Sequence, residues 1–196
     1  MPFLKIHRAA EFIELLRARL HEKTFKHSLS VAQTMLGMAE QAGIDPGKAV
    51  TAGLLHDYCK DLDPTTLLER AVDYGIFVTE AQRASPSALL HGPVAAEEAW
   101  RELSVEDPEI HEAIYWHTTG KPGLGRLGQA LYVADFCEPT RPKSQAAEAR
   151  RILAEEGFEP ALLYVTREKA AHVRAKGAAE PITEAFLEWV NAEFGS

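Results

Sequence analysis

Apolar residues recur at spacings of three and four along almost the whole chain, and strict two-residue alternation is nearly absent. This spacing matches the α-helical turn, and the abundance of Ala, Leu, Glu and Arg favours the same structure. Three Asp-Pro pairs interrupt the pattern, at Asp45-Pro46, Asp63-Pro64 and Asp107-Pro108. Each pair puts a carboxylate at a predicted N-cap and a proline at the first helical position. The pattern therefore predicts an all-α protein.

The periodic segments predict ten helices joined by short connections. They span about residues 8–21, 24–42, 46–60, 64–74, 108–117, 126–137, 144–156, 160–176 and 182–194, with one more beginning at residue 91. Residues 79–90 are predicted to be a looser segment. At this length, residues 1–196 are predicted to form a single domain, with a functional core over about 15–141 and a helical buttress over about 142–196.

Composition and charge narrow the classes of partner. The 196 residues are 46% hydrophobic and 26% charged, which is ordinary for a globular protein with a sizeable core. The net charge of −8 argues against nucleic acid or an anionic membrane as the main partner, because both would repel the chain. A polyphosphate stays compatible with this charge if the attraction is local.

Two cysteines, Cys59 and Cys137, are too few for a disulfide scaffold and favour a reducing compartment. Small buried packing is favoured over a thiolate role for both. No run approaches the roughly 20 apolar residues of a membrane span, and the first residues lack the apolar stretch of a signal peptide. A cytoplasmic location is expected.

The candidate chemistry is a series of potential metal ligands in a fixed order. The series comprises His27, His56, Asp57, His91, His117 and Asp135. Asp57 and Asp135 each lie in an apolar run, where a charged carboxylate is costly unless it is paired or bound to a metal. Asp57 has two oxygens and can bridge two ions. Paired ions about 3.5–4 Å apart mostly activate water against phosphate esters and anhydrides, so the series predicts a two-metal hydrolase.

The ligand series and its local sequences resemble the HD-domain metal-dependent phosphohydrolases, and within them the two-metal YqeK family. The segments that carry the resemblance are Gly53-Leu54-Leu55-His56-Asp57 with Lys60, His91-Gly92-Pro93-Val94-Ala95-Ala96, His117-Thr118-Thr119-Gly120, and Ala134-Asp135-Phe136-Cys137-Glu138-Pro139-Thr140-Arg141. The resemblance covers roughly residues 15–175. It implies an HD-domain helical bundle with a C-terminal helical extension, and symmetrical bis(5′-nucleosyl)-tetraphosphatase activity.

The resemblance also implies how two ions are shared. One ion is expected at His27, His56, Asp57 and Asp135, and the other at Asp57, His91 and His117. Nitrogen and oxygen ligands with open positions suit iron or manganese better than a closed zinc site, and the family implies iron. The ions are expected to make hydroxide available for attack on phosphorus, so that diadenosine tetraphosphate gives two ADP.

Basic side chains near the ligands are candidates for catalytic phosphate contacts. Lys60 follows Asp57 by one turn, and the guanidinium of Arg141 suits phosphate oxygens. The family leads us to expect a lysine where Gln129 stands, with Arg126 as a substitute. Asp61 could orient Lys60 or bind a metal-bound water, and surface capping is an equally weighted alternative.

Other residues near the series favour structural roles. Tyr58 and Trp116 flank predicted metal ligands and could line a nucleobase pocket, but core packing is favoured for both. Glu97 and Glu98 are adjacent acids that favour a solvated face over an acid/base pair.

Several alternatives stay open. The same site could serve a nucleotide phosphatase or a cyclic-dinucleotide phosphodiesterase, and a product assay discriminates these. A two-iron oxygenase predicts oxygen consumption. A nucleotide-binding regulatory module with structural metals predicts binding without turnover. The expected partner is a dinucleoside polyphosphate or nucleotide, and a homodimer is left open.

Overall fold

The computed structural model describes residues 2–175 and 181–195, and α-helix is the dominant structure in both ranges. The helices are α1 (Ala9–Arg19), α2 (Glu22–Ala42), α3 (Pro46–Leu55), α4 (Pro64–Asp73), α5 (Glu80–Ala84), α6 (Pro86–Leu89), α7 (His91–Arg101), α8 (Pro108–Trp116), α9 (Arg126–Cys137), α10 (Ser144–Glu155), α11 (Phe158–Ala175) and α12 (Pro181–Phe194), preceded by a 3₁₀ turn over Pro2–Lys5. No strand occurs in these ranges, which confirms the all-α prediction. None of the described helices is long and apolar enough to cross a bilayer.

The Asp-Pro pairs begin helices as predicted. The carboxylate of Asp45 accepts from the Lys48 backbone N–H at 2.8 Å, and that of Asp63 accepts from Thr65 at 3.0 Å. Asp107 caps α8 in the same way. These caps satisfy backbone donors that have no partner inside the helix, and so fix where α3, α4 and α8 begin.

The centre of the molecule is the pair α2 and α3, which packs against α8 and α9, while α7 packs on α8. A Cβ on Gly53 would meet the Cα of Ala32 at 2.7 Å, so only glycine allows α2 and α3 to lie this close. The helices that pack together here carry or immediately precede every predicted metal ligand.

The C-terminal helices pack against this centre. α11 contacts α2, α9, α10 and α12. Phe186 of α12 is fully buried and lies over Gly120, where a Cβ would meet its ring at 2.1 Å. The loop after α8 is therefore covered by the final helix.

The structure differs from the prediction at one helix boundary and in one segment. α3 ends at Leu55 rather than near residue 60, and residues 56–61 form turns. Backbone bonds three residues apart, such as Lys60 N–H to Asp57 O at 3.0 Å, replace the helical pattern there. The segment over 79–90 contains α5 and α6, which are too short to show a helical period.

The prediction of a solvated face for Glu98 is also wrong. Its side chain is 2% exposed and accepts from Arg70 Nη1 at 2.5 Å and Arg19 Nη2 at 3.1 Å. The Cys59 thiol donates to the same carboxylate at 3.2 Å. Glu98 therefore ties α7 to α1, to α4 and to the turn after α3, where Asp57 lies.

Candidate metal centre

The structure brings all six predicted ligands together at the ends of five helices. His27 lies in the second turn of α2, and Asp135 lies in the last turn of α9. His56 and Asp57 follow α3, while His91 begins α7 and His117 follows α8. His56, Asp57, His91 and His117 are buried, and His27 and Asp135 are nearly so. The cluster is enclosed by helix ends that are held by the packing described above.

Asp57 lies at the middle of the cluster, and its two oxygens face different histidine pairs. Oδ2 is 3.8 Å from His27 Nε2 and 3.6 Å from His56 Nε2. Oδ1 is 3.2 Å from His91 Nε2 and 3.6 Å from His117 Nε2. One carboxylate is thus shared between two sets of imidazole nitrogens.

Helix ends orient His56 and His117. Each ring donates its Nδ1–H to the backbone carbonyl three residues earlier, His56 to Gly53 and His117 to Ile114, both at 2.8 Å. The last carbonyls of a helix have no intrahelical partner, so a histidine just beyond the end can use one. This fixes the tautomer and turns the Nε2 lone pair of each ring into the cluster.

The other two histidines are oriented by different acceptors. His91 donates its Nδ1–H to the carbonyl of Ser87 at 3.0 Å. His27 donates its Nδ1–H to Glu138 at 3.0 Å, and Glu138 in turn accepts from the Thr140 N–H and hydroxyl, both at 2.6 Å. Burial raises the pKa of Glu138, but the hydrogen bonds from His27 and others outweigh it and lower the pKa to about 2. Glu138 therefore positions His27, a role that was not predicted for it.

Gly92 makes room for the second histidine pair. A Cβ at this position would meet the His117 ring at 3.0 Å and the Ile114 carbonyl at 3.1 Å. The glycine after His91 therefore allows the His91 and His117 rings to approach, with their Nε2 atoms 3.0 Å apart.

Within the cluster, hydrogen-bond acceptors face other hydrogen-bond acceptors. His91 and His117 both use their ring N–H elsewhere, so their two Nε2 lone pairs face each other at 3.0 Å. Burial lowers the pKa of His56 to about 3 and that of His91 to about 4, so both are neutral at pH 7. The buried Oδ1 of Asp57 has no hydrogen bond. Cations among these lone pairs would satisfy them all, so the residues fit divalent metal ions.

Carboxylates give the other half of the cluster a negative potential. His27 Nε2 is 3.1 Å from Asp135 Oδ1. Burial lowers the pKa of His27, but hydrogen bonds with Asp135 and Glu138 raise it to about 9. The potential that raises the pKa of His27 also attracts a cation.

The predicted phosphate contacts lie at the edge of the cluster. The Lys60 amine is 3.1 Å from His91 Nε2 and 3.8 Å from Asp57 Oδ1. Arg141 donates to Asp135 Oδ1 at 2.8 Å, and its side chain is 45% exposed. Both positive groups lie beside the ligands and can meet an anion that approaches from outside.

A third cation, Lys169 of α11, was not predicted. Its amine is 3.7 Å from Asp135 Oδ2, donates to the His117 carbonyl at 3.1 Å, and lies 3.7 Å above the Tyr132 ring. Burial lowers the pKa of Lys169 to about 8. The residue shares a face with the buried Leu162, Val165 and Thr166 of α11. A lysine on the apolar face of a helix was the available sequence signal.

Neither substitute for the expected lysine lies at the cluster. Gln129 is buried and donates to the Leu124 carbonyl at 2.6 Å. Arg126 donates to the Ala42 carbonyl at 3.1 Å and to Glu159 at 2.8 Å. Arg126 therefore does not compensate, because its guanidinium joins the start of α9 to the end of α2 and to the start of α11.

Asp61 and the two cysteines have structural positions. Asp61 accepts from the His21 N–H at 2.8 Å and the Thr24 hydroxyl at 2.9 Å, which caps the start of α2. Cys59 and Cys137 are buried and unpaired. Burial raises the pKa of Cys59 well above its usual value and that of Cys137 to about 12. The prediction of buried thiols is confirmed.

The chain is similar to known proteins along most of its length. The family model described as HD domain matches residues 24–176. A relative named symmetrical bis(5′-nucleosyl)-tetraphosphatase, from Bacillus subtilis (strain 168), is 33% identical over 160 residues, which cover 78% of this chain and 81% of that one. A relative of the same name from Staphylococcus aureus is 32% identical over 152 residues, with 76% of each chain covered.

A solved structure shares the architecture. It is a predicted HD superfamily hydrolase involved in NAD metabolism from Clostridium acetobutylicum, with a TM-score of 0.88 and 28% sequence identity. The match covers 96% of this chain and 99% of that one. The chain therefore belongs to the HD domain family, in the YqeK-type group with the relatives named symmetrical bis(5′-nucleosyl)-tetraphosphatase.

Proposed function

We propose that this HD-domain hydrolase cleaves diadenosine tetraphosphate symmetrically into two ADP. The observation that carries the proposal is the division of the Asp57 carboxylate, with one oxygen toward His27 and His56 and the other toward His91 and His117. Two curated relatives that cover three quarters or more of the chain have names that state this activity, which supports the choice of substrate.

We propose that the six ligands hold two divalent ions bridged by Asp57. His27, His56 and Asp135 complete one set, and His91 and His117 complete the other. When bound, such ions supply an activated water and polarise phosphoryl oxygens. The all-nitrogen and oxygen donor set favours iron, with manganese as the alternative.

The basic side chains would hold the polyphosphate. Lys60 lies beside the His91 set, whereas Arg141 and Lys169 lie beside Asp135. Positive groups on both sides can neutralise phosphates that extend across the cluster. Hydrolysis forms a bond between the water oxygen and one of the two central phosphorus atoms. It breaks the bridging P–O bond between them, and the leaving oxygen departs on ADP.

The test is an anaerobic incubation of iron-loaded protein with diadenosine tetraphosphate in ¹⁸O-labelled water, with the nucleotides resolved by chromatography and mass spectrometry. ADP as the sole product, with one ¹⁸O in half of the molecules, is expected. ATP with AMP would contradict symmetrical cleavage. No turnover with iron or manganese would contradict the hydrolase itself.

A matched pair of variants controls the test. Asp57→Asn removes the bridging charge, while Asp61→Asn changes a second aspartate in the same turn that only caps α2. We expect turnover to be lost in Asp57→Asn and retained in Asp61→Asn.

We further propose that the chain is one domain whose last 55 or so residues support the site rather than form a separate unit. The contacts of α11 with α2 and α9 support this proposal. The two buried thiols support a cytoplasmic location.

A further inference from the structure

A cavity opens beside the His91 and His117 side of the ligand cluster. It has a volume of about 330 Å³, and its lining includes Phe77, Leu89, Pro93, Tyr115, Trp116 and Thr118. The Thr118 hydroxyl is 3.2 Å from His117 Nε2 and 3.4 Å from His91 Nε2. Thr118 therefore belongs to both the cavity and the cluster, and a ligand can extend from one into the other.

The chemistry of the cavity differs from that of the cluster. Three of its side chains are aromatic, and none of the described residues that line it is charged. The cations Lys60, Arg141 and Lys169 lie instead against the metal ligands. A ligand with a flat neutral part for the cavity and an anionic part for the cluster matches this separation of charge.

Phe77 lies at the rim of the cavity and is 85% exposed, the highest exposure among the large apolar residues whose burial the structure describes. A single exposed aromatic is ordinary on a protein surface. Here its ring borders a cavity that already contains Tyr115 and Trp116, so it can cover a flat ligand from outside. The core-packing prediction for Trp116 is therefore incomplete, because the side chain is half-buried and lines this cavity.

Gln82 adds a polar contact to the same lining. Its side-chain oxygen accepts from the Thr79 N–H at 2.9 Å in the capping box of α5, so the amide is held in one orientation. No described residue accepts from its amide nitrogen, which is free to donate to a ring nitrogen or carbonyl of a ligand.

We propose that this cavity is a nucleobase subsite, in which one base of the substrate stacks on Phe77 and its phosphates pass Thr118 to reach the cluster. The inference rests on the proposed function, because it states how the same site holds the nucleoside. A base fixed here would set which phosphorus atom lies at the cluster, and hence that the product retains two phosphates.

The experiment measures equilibrium binding of ADP and of inorganic pyrophosphate to metal-loaded protein by calorimetry. The variants are Phe77→Ala, Phe77→Trp and, as control, Val72→Ala, which removes a 70% exposed apolar side chain of α4 outside the cavity lining. Loss of base stacking predicts that Phe77→Ala weakens ADP binding by about 5- to 100-fold. Pyrophosphate binding should not change, and Phe77→Trp and Val72→Ala should bind ADP as the wild type does.

The proposal is overturned if Phe77→Ala binds ADP as tightly as the wild type, if it loses ADP and pyrophosphate equally, or if the wild type binds no ADP. The two proposals fail separately. Turnover of diadenosine tetraphosphate with unchanged ADP affinity in Phe77→Ala would refute the subsite alone. Selective loss of ADP without any wild-type turnover would refute the cleavage alone.

Discussion

Replacing Glu98 by alanine tests whether the buried ion-pair network stabilises the fold around the site. The substitution removes the acceptor shared by Arg19, Arg70 and the Cys59 thiol. The guanidinium groups of Arg19 and Arg70 then lose their main acceptor, and the site is buried, since the Glu98 side chain is 2% exposed. We therefore expect Glu98→Ala to destabilise the fold strongly, although the sequence pattern predicted a solvated face for this residue.

The magnitude follows from the burial of the partners. Removing one member of a buried ion pair costs about 3–5 kcal/mol, because the remaining charge is left unpaired. The side chains of Arg19 and Arg70 are 20% and 32% exposed, so water can solvate part of each charge. We expect the free energy of unfolding to fall by about 2–4 kcal/mol, which lowers the Tm of a chain this size by roughly 5–15 °C.

The assay is urea unfolding of chelator-treated protein, so that metal binding does not mask the change in stability. Glu155→Ala is the matched control, because Glu155 pairs with Arg151 at 2.6 Å but is 61% exposed. Its loss should change the free energy of unfolding by less than about 0.5 kcal/mol. Equal stabilities of Glu98→Ala and Glu155→Ala would refute the argument from burial.

Three further predictions concern the cations and thiols. Arg141→Ala should raise KM for diadenosine tetraphosphate by about 10-fold or more in steady-state assays, because a charged hydrogen bond is lost. Arg151→Ala, which removes an arginine side chain of similar exposure, should leave KM unchanged. Lys169→Met removes a positive charge 3.7 Å from Asp135, so it should raise the affinity for metal while lowering kcat/KM. A fall in both metal affinity and kcat/KM would indicate only structural damage. Cys59 and Cys137 have raised pKa values and are buried, so both should be thiols that resist iodoacetamide at pH 8 until the protein is unfolded, as judged by mass spectrometry.

The sequence predicted most of the helices because their signals are local. Asp45, Asp63 and Asp107 each precede a proline and begin a helix, as the capping rule requires. The end of α3 was missed because the helical spacing of the sequence continues past Leu55, whereas the backbone changes there to bonds three residues apart, such as Lys60 N–H to Asp57 O at 3.0 Å. Residue spacing does not encode that change of backbone bonding.

The candidate site was predicted only in part, because local sequence signals identify the metal ligands but not the residues that reach the site through tertiary packing. The metal ligands occur in characteristic dipeptides and short segments, so they could be recognised in order. Lys169 lies 34 residues beyond Asp135 along the chain, in a helix with no recognisable motif, and reaches the cluster only through the packing of α11 on α9. Glu98 was missed because its partners, Arg19 and Arg70, are distant in sequence.

The most direct test of the two-metal site is the metal content of protein purified without oxygen, measured by inductively coupled plasma mass spectrometry. Because Asp57 faces both histidine pairs, we expect two ions per chain in the wild type and loss of both in Asp57→Ala. A single ion in the wild type, or unchanged metal content in Asp57→Ala, would contradict the assignment of Asp57 as the shared ligand.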